Sequence, residues 1–451
     1  MDAGGEGFLG TFLNNPARLV VVGFAGLITA GTLALMTPEA AASGHPTHWV
    51  TALFTATSAS CVTGLNVVDP GSFWTHTGQA VILALIQAGG LGVMSLGSLM
   101  ALLLGRKMGM RSTTLAETEG RGIGNEDARR VLLGIVRMTL IIEGLVALAL
   151  FLRFWLGYHE PVRSALWDGV FHAVSAFNNA GFGLKRNNIA DYVSDPWINL
   201  PIMIAVVLGG IGFPVLWEVL RRFRAPRSWS LHTKITILGT VSLLLGGTLA
   251  LLVIEWTNPK TLGPLGGPVK VLAAAFQSVI ARTAGFNSIP IGDLREESLF
   301  VLDGLMFVGG GSAGTAGGIK ITTFAILGYV IWAELRGEPS VHVARRRISG
   351  EAIRQALTVA LLSVGVVGVG TMALLALSHF HLSPVLFEAV SAFATVGLST
   401  GITGQLHDPA QVVLVALMFI GRLGTLTLGT SLALRTRARL FEYPEERVIV
   451  G

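Results

Sequence analysis

The chain has 451 residues, of which 51% are hydrophobic and only 13% are charged, and its formal net charge is +5. A mean hydropathy of +0.65 excludes an ordinary soluble domain, which does not need so many apolar side chains. The single cysteine, Cys61, excludes an intrachain disulfide and a cysteine-based metal site.

The hydropathy pattern predicts eight long apolar helices, each able to cross roughly 30 Å of hydrocarbon at about 1.5 Å per residue. In chain order they cover residues 17–36, 78–104, 131–157, 198–222, 232–256, 299–335, 352–378 and 410–434. Inside each successive pair lies a semi-polar segment that is too short to span, so we expect four re-entrant pore helices. The first apolar stretch could instead be a signal peptide, but it is longer than a usual signal-peptide core.

One short motif occurs four times along the chain. Its copies are FTATSASCVTGL, FHAVSAFNNAGF, FQSVIARTAGF and FEAVSAFATVGL. Their glycines lie 117, 104 and 112 positions apart, at Gly64, Gly181, Gly285 and Gly397. The third copy is one residue shorter between its Phe and its Gly, which places Phe276 out of register. A motif that recurs at nearly constant spacing over almost the whole chain indicates four equivalent structural units.

These units divide the chain into six segments. They are an N-terminus (1–16), repeat A (17–110), repeat B (131–222), repeat C (232–335), repeat D (352–434) and a C-terminal tail (435–451). Because each repeat has two full spans, all four enter the membrane with the same topology and can close around one axis. The expected fold is an all-α polytopic membrane protein, with four parallel repeats of helix, re-entrant pore loop and helix around a pseudo-fourfold pore.

The basic residues predict the orientation. The stretches that join the repeats, together with the tail, hold twenty Lys and Arg residues, whereas the four pore-loop regions hold seven. Both termini are therefore expected in the cytoplasm, with the pore loops dipping in from outside. The basic clusters at 221–227 and 345–347 fit this topology and contact with lipid headgroups, and they could also dock a cytosolic partner.

The four glycine loops have the features of a cation filter. Non-helical backbone at membrane depth persists only where it lines a cavity, and carbonyls turned to one axis can replace the hydration shell of an ion. A lone glycine would more often pack helices, but four copies favour a filter. None of the loops has a carboxylate, so we expect a monovalent cation. The candidate filter residues are Cys61, Val62, Thr63, Gly64, Asn178, Asn179, Ala180, Gly181, Arg282, Thr283, Ala284, Gly285, Ala394, Thr395, Val396 and Gly397.

A second glycine-rich stretch interrupts the inner helix of repeat C. Six of its ten residues are glycine, and each costs a helix about 1 kcal/mol relative to Ala, so we expect an unwound loop that faces the pore. It lacks the lysine of a phosphate-binding loop, because Thr315 stands at that position. A charge in the middle of the last inner helix, Arg422, is expected to contact this loop and help to block the cytosolic exit. The candidate gate residues are Gly309, Gly310, Gly311, Ser312, Ala313, Gly314, Thr315, Ala316, Gly317, Gly318, Lys320 and Arg422.

Over residues 17–451, the four motifs and the two-span repeat resemble the KtrB-type subunits of the TrkH, KtrB and plant HKT superfamily of K⁺ transporters. This resemblance implies K⁺ uptake with Na⁺ as a possible activator, a homodimer in the bacterial inner membrane, and a cytosolic KtrA-type ring that binds ATP or ADP and gates the pore. A glycine at position 64, as in this chain, resembles the K⁺-selective members of the family. A serine at this position would have suggested Na⁺ transport. In the family, an arginine and a glycine loop also occupy the gating positions. The apolar end of the tail, Arg447–Gly451, is expected at the dimer interface.

Other functions are less well supported by the sequence. The loops lack the full Thr-Val-Gly-Tyr-Gly signature of tetrameric K⁺ channels, so a Na⁺-conducting or poorly selective transporter stays open. An ion-coupled secondary transporter would predict inverted repeats and ionisable coupling residues, and neither is visible in the sequence. An enzyme would need a catalytic motif, and neither His-Glu-x-x-His nor Gly-x-Ser-x-Gly occurs. No nucleic-acid partner and no organic cofactor is expected, and Glu143 and Asp303 are interpreted as packing or anchoring residues.

Overall fold

The computed structural model describes residues 16–110, 125–344 and 346–434, with side chains over 18–99, 129–344 and 346–424. The predicted C-terminal tail and nearly all of the N-terminal segment lie outside these ranges. The outer helices of repeats A to D are Pro16–Leu35, Asn125–Leu152, Leu231–Glu255 and Gly350–Leu377. In repeat B, a π-helical turn, Arg153–Gly157, extends the outer helix.

A short helix follows each outer helix, as the motif predicts. The four pore helices are Trp49–Ser60, Val162–Phe177, Gly267–Ile280 and Leu382–Phe393. They contain 12, 16, 14 and 12 residues, and at about 1.5 Å per residue this is too short to cross a bilayer. Each pore helix therefore ends inside the protein, and the chain must turn back there.

The inner helices differ more than their sequences suggest. They are His76–Met110 in repeat A, Pro196–Ile211 with Phe213–Arg221 in repeat B, Glu296–Phe307 with Ile321–Leu335 in repeat C, and Asp408–Leu434 in repeat D. The interruption in repeat C lies where the glycine-rich stretch predicts it. Short connections complete the described chain, including an antiparallel pair of two-residue strands, His342–Val343 and Arg346–Arg347.

The prediction of one continuous helix over 198–222 is wrong. The inner helix of repeat B bends by 103° between Ile211 and Phe213. Gly212 has a φ of 92°, which a side chain would disfavour. Pro214, in the first turn of the second half, has no N–H for the carbonyl four residues earlier and would clash with it. The Gly-Pro combination therefore breaks the helix and leaves carbonyls of its first half without helical partners.

By length and composition, five helices of the described chain can cross a membrane. They are Arg18–Leu35, His76–Leu99, Arg129–Gly157, Leu231–Glu255 and Gly350–Leu377. The bent pair of repeat B is a sixth candidate. The two halves in repeat C have only 12 and 15 residues, so neither half spans by itself.

The packing separates an apolar interior from an apolar exterior. One phenylalanine of each pore helix is fully buried: Phe54, Phe171, Phe276 and Phe387. On the outside of the outer helices, Leu145 and Val253 expose 64% and 80% of their surface. Apolar exposure of this extent is unfavourable in water and is what a lipid-facing surface requires.

Candidate ion pathway

Each pore helix is followed by a turn with one repeated backbone conformation. We call these the filter turns: Cys61–Gly64, Asn178–Gly181, Arg282–Gly285 and Ala394–Gly397. In each turn φ is positive at the glycine and two residues before it. The values are 56° and 96° at Val62 and Gly64, 59° and 70° at Asn179 and Gly181, 72° and 68° at Thr283 and Gly285, and 49° and 93° at Thr395 and Gly397. Non-glycine residues rarely adopt positive φ, so its recurrence indicates a shared backbone shape.

The four glycines lie against one another in a closed ring. A Cβ on Gly64 would come within 3.0 Å of the Ala180 carbonyl, and the same holds for Gly181 with Ala284, Gly285 with Val396, and Gly397 with Thr63. The contacts run from repeat A to B, C, D and back to A. Because real Cβ atoms do not come so close, any side chain at these positions would displace the neighbouring turn.

The ring brings together four equivalent carbonyls, each from the residue before a filter glycine. They belong to Thr63, Ala180, Ala284 and Val396. Within the described residues only the carbonyl of Ala284 accepts a hydrogen bond, from Phe286 N at 3.0 Å. The described chain also has no group of three or more His, Cys, Asp or Glu side chains that could hold a metal ion. An oxygen ring without carboxylates suits a weakly hydrated monovalent cation.

Pore-helix serines support the turns of repeats A and D. The Ser58 hydroxyl accepts a hydrogen bond from Gly64 N at 3.0 Å, and the Ser391 hydroxyl accepts one from Gly397 N at 3.1 Å. Both serines lie six residues before the filter glycine. They satisfy a buried amide and orient the glycine at the same time. The first residues of these turns, Cys61 and Ala394, cap the pore helices.

Repeat B is supported by a buried polar cluster behind its turn. The Asn178 amide donates to Gln87 Oε1 at 2.9 Å and to Glu143 Oε1 at 3.0 Å, and Gln87 Nε2 donates to Glu143 Oε2 at 3.3 Å. Glu143 is 5% exposed. Asn178 therefore acts as a support for the turn, and Glu143 is an anchoring residue, as the sequence suggests. Asp303, interpreted in the same way, has an Oδ1 atom without a hydrogen bond in the described chain.

The turn of repeat C is built differently. In the other three repeats a backbone hydrogen bond closes the turn over five residues, as from Thr63 N to Ser58 O, whereas Ala284 N donates to Ile280 O over four. The one-residue deletion in the third motif therefore lies in the turn and not in the pore helix. Counted from this bond, Phe276 is in register with the other phenylalanines, and Ile280 takes the place of Ser58. The side chain of Arg282 points away from the ring, to the Gly309 carbonyl at 2.7 Å.

The gate loop, Gly309–Gly318, pairs with the broken helix of repeat B. Gly311 N donates to Gly210 O at 2.8 Å, Thr315 N donates to Gly209 O at 3.1 Å, and Phe213 N donates to Ala313 O at 3.3 Å. The break at Gly212 therefore frees backbone groups that the loop satisfies. Both irregular segments depend on each other, because an unpaired backbone group in the membrane costs several kcal/mol.

The same loop contacts the other repeats. A Cβ on Gly97 of repeat A would come within 3.0 Å of Ala313, and one on Gly317 would come within 3.0 Å of Ala394 O in repeat D. The Thr315 hydroxyl donates to Phe177 O at 3.2 Å, at the end of a pore helix. The loop thus crosses the region where the pore helices end. The Ser312 hydroxyl lies 3.3 Å from that of Thr322, in the helix that follows the loop.

Two basic side chains hold the gate loop. Arg422 is 3% exposed and donates from Nη1 to the Thr315 carbonyl. Lys320 Nζ donates to the Ala316 carbonyl at 2.6 Å. Within the described chain, Nε and Nη2 of Arg422 have no hydrogen-bond partner. Lys320 and Arg422, two of the predicted gate residues, are therefore both brought to the glycine-rich loop.

Sequence reasoning missed a second set of repeated glycines. A Cβ on Gly89, Gly209 or Gly421 would come within 3.0 Å of a carbonyl at the end of its repeat's pore helix, that of Ser60, Phe177 and Phe393 respectively. These glycines let the inner helix pass directly beside the pore helix. The sequence pattern that predicts them is a pair of residues, the first always glycine, 24 to 29 positions after each filter glycine. The four pairs are Gly89-Gly90, Gly209-Gly210, Gly309-Gly310 and Gly421-Arg422. Arg422 replaces the second glycine of this pair.

Comparison with known proteins gives a consistent assignment. Residues 13–442 match the TrkH family, described as cation transport protein. The chain is 40% identical over 440 residues to the Ktr system potassium uptake protein B of Bacillus subtilis, covering 97% of both chains. It is 32% identical over 443 residues to the potassium/sodium uptake protein NtpJ of Enterococcus hirae, again covering 97% of both chains.

A solved structure supports the fold. The potassium transporter TrkH from Vibrio parahaemolyticus superposes with a TM-score of 0.71 at 20% sequence identity, covering 92% of this chain and 84% of that one. At this identity the likeness concerns the fold alone. The family match and the two relatives identify the polypeptide as a membrane transport protein and not an enzyme. The chain belongs to the TrkH family of cation transport proteins.

Proposed function

We propose that this protein takes up K⁺ through the ring of four filter turns. The observation that carries the proposal is the closed contact of Gly64, Gly181, Gly285 and Gly397, each against the carbonyl of the next repeat. Carbonyls held in this way can replace the water ligands of an ion, and their neutral charge favours a monovalent cation. The names of the B. subtilis and E. hirae relatives point to the same ion.

The gate loop and Arg422 form the closed gate in this proposal. The loop contacts all four repeats near the ends of the pore helices, and Arg422 fixes it from repeat D. A cation that leaves the filter would meet the loop and the charges of Lys320 and Arg422. Opening therefore requires the loop to move away from Arg422 or the arginine to move with it.

The regulation and assembly that we propose rest on the resemblance to Ktr-type subunits. We propose a homodimer in the bacterial inner membrane, with both termini in the cytoplasm and a cytosolic KtrA-type ring that responds to ATP or ADP. Exposed basic residues at the end of the broken inner helix, Arg221 and Arg224, offer a docking surface on the cytoplasmic side. Na⁺ acts as an activator or as a second transported ion, as the name of NtpJ suggests.

A Na⁺-conducting or poorly selective transporter of the same fold is the alternative. Ion flux into proteoliposomes, measured separately with K⁺ and Na⁺, distinguishes the two. We expect wild-type protein to favour K⁺ and Gly64→Ser to lose much of this preference, because its side chain would strike the Ala180 carbonyl. An unaltered preference in a folded Gly64→Ser protein would count against the ring as the filter.

A further inference from the structure

The filter turn of repeat C lacks the support that holds the turns of repeats A and D. There, the hydroxyls of Ser58 and Ser391 accept hydrogen bonds from the filter glycine amides. In repeat C the equivalent residue is Ile280, which has no hydroxyl. A turn with two positive-φ residues needs external support to keep that conformation. Another part of the protein must therefore position Thr283 and Gly285.

The gate loop provides contacts at both of its ends. Arg282 Nη2 donates to the carbonyl of Gly309, the first loop residue, at 2.7 Å. Gly317 N, near the other end, donates to the Thr283 hydroxyl at 3.2 Å. A further bond from Arg282 Nη1 reaches Thr240 O on the outer helix at 3.4 Å. Repeat C's filter turn is thus attached to a segment that must move when the pore opens.

The charge on Arg282 makes this attachment costly to break. Arg282 is 6% exposed, and within the described chain it has no salt bridge and its Nε has no hydrogen-bond partner. A buried guanidinium without a carboxylate is stabilised by the carbonyls that it contacts. The adjacent cavity, lined by Thr240, Val279 and Gly310 among others, measures only about 20 Å³, enough for about one water molecule. Loop displacement would leave the guanidinium with fewer partners.

We propose that Arg282 and Thr283 couple the position of the gate loop to K⁺ binding at the filter. With the loop in the position seen here, Gly309 and Gly317 hold the repeat C turn in its binding conformation. When the loop moves away, this turn loses its support and the filter binds K⁺ more weakly. Arg282 is a positioning residue in this scheme, because its side chain does not reach the ring. The inference rests on the proposed function, since it takes the ring as the K⁺ site and the loop as the gate.

The test is a K⁺ titration of thermal stability with purified full-length protein in detergent. A ligand that binds only the folded state raises the unfolding midpoint with its concentration, which yields an apparent affinity. We expect Arg282→Met to weaken the apparent K⁺ affinity about tenfold, since the charge-assisted bond to the gate loop is lost together with the longer bond to Thr240 O. Arg282→Lys keeps the charge and should recover part of the affinity. An Arg282→Met protein that melts earlier but binds K⁺ with wild-type affinity would overturn the proposal.

A matched pair of threonine variants tests the other contact. Thr283→Val removes the acceptor of Gly317 N, and valine is compatible with the turn because Val62 occupies the equivalent position. In repeat D, the hydroxyl of the equivalent Thr395 has no hydrogen bond in the described chain. Thr395→Val removes no hydrogen bond to the loop, so we expect Thr283→Val to weaken K⁺ affinity several-fold more than Thr395→Val does. Equal effects of the two variants would contradict the coupling.

The outcome also separates this inference from the proposed function. If wild-type protein shows no K⁺-dependent stabilisation, the ring is not a K⁺ site and the proposed function fails. If the wild type binds K⁺ but Arg282→Met and Thr283→Val bind it equally well, only the coupling fails. The Thr283→Val and Thr395→Val pair decides the question where Arg282→Met does not fold.

Discussion

Arg422 and Thr315 are 107 positions apart in the chain, yet the arginine donates a hydrogen bond to the threonine carbonyl. The bond joins the last inner helix to the gate loop. Arg422 stands where the other repeats have the second glycine of a pair, as at Gly90 and Gly210. The pseudo-fourfold arrangement is therefore broken at this position by a side chain that reaches into the region beneath the filter turns.

Replacing Arg422 with alanine should open the pathway. The variant removes both the bond to Thr315 and a positive charge beside the ion route that we propose. A hydrogen bond to a charged group contributes about 1.5–3 kcal/mol, so we expect K⁺ flux without a cytosolic partner to rise about tenfold or more. The measurement is K⁺ flux into proteoliposomes at matched protein content. Unchanged flux in a well-expressed Arg422→Ala protein would contradict the gating role.

Arg422→Lys is the matched control for this variant. It retains the charge but has one compact donor group in place of a planar fork. An intermediate flux would indicate that both the charge and the contact close the gate. Flux equal to that of Arg422→Ala would assign the effect to the contact with Thr315.

Two glycines of repeat D allow the effect of the closed ring to be distinguished from the effect of an unfavourable φ alone. Gly397 and Gly401 have similar φ values, 93° and 97°. A Cβ on Gly397 would come within 3.0 Å of the Thr63 carbonyl, whereas one on Gly401 would meet nothing within 4 Å. We expect Gly397→Ala to abolish K⁺-selective flux and Gly401→Ala to lower only stability, by about 1–2 kcal/mol for the unfavourable φ. Flux assays and thermal unfolding of both proteins check this, and equal loss of flux would argue against the ring.

Much of the architecture could be predicted from the sequence because it repeats. A glycine with the same neighbours in four places marks the filter turns, and six glycines in one stretch mark the break in repeat C. The break in repeat B carried a weaker signal. Gly212 and Pro214 stand within an otherwise apolar run, and such residues are often tolerated in membrane helices. The bend depends on pairing with the gate loop, which sequence reasoning did not reveal.

The supports behind the filter could not be predicted in the same way. Gln87 and Glu143 lie on two different helices and Asn178 lies in a filter turn, and nothing in their spacing shows that they meet. The deletion in the third motif was visible, but its location inside the turn was not, so Phe276 was placed out of register. A one-residue gap can be absorbed by the helix or by the turn, and only the hydrogen bond from Ala284 N to Ile280 O distinguishes the two.

The inner-helix glycines make a separate prediction about packing. A Cβ on Gly209 would come within 3.0 Å of the Phe177 carbonyl, whereas one on Gly144, in the outer helix of the same repeat, would meet nothing within 4 Å. Alanine favours a helix over glycine by about 1 kcal/mol. We expect Gly144→Ala to be neutral or slightly stabilising in thermal unfolding, and Gly209→Ala to destabilise the protein and impair flux. Similar melting of the two variants would show that the inner helix can shift away from the pore helix.

Glu143 should affect ion preference although it lies behind the filter. It accepts hydrogen bonds from Asn178 and Gln87, at 3.0 Å and 3.3 Å, and Asn178 caps the pore helix at the start of its filter turn. Glu143→Leu would remove the carboxylate that both amides share; Asn178 would keep its bond to Gln87 Oε1 at 2.9 Å, and a donor left unsatisfied costs about 1–3 kcal/mol. We expect a lower unfolding midpoint and a weaker K⁺ preference over Na⁺ in proteoliposomes. Glu143→Gln retains one acceptor and should lie between wild type and Glu143→Leu. If Glu143→Leu lowers the midpoint while the K⁺ preference stays at the wild-type value, the cluster stabilises the fold without positioning the turn.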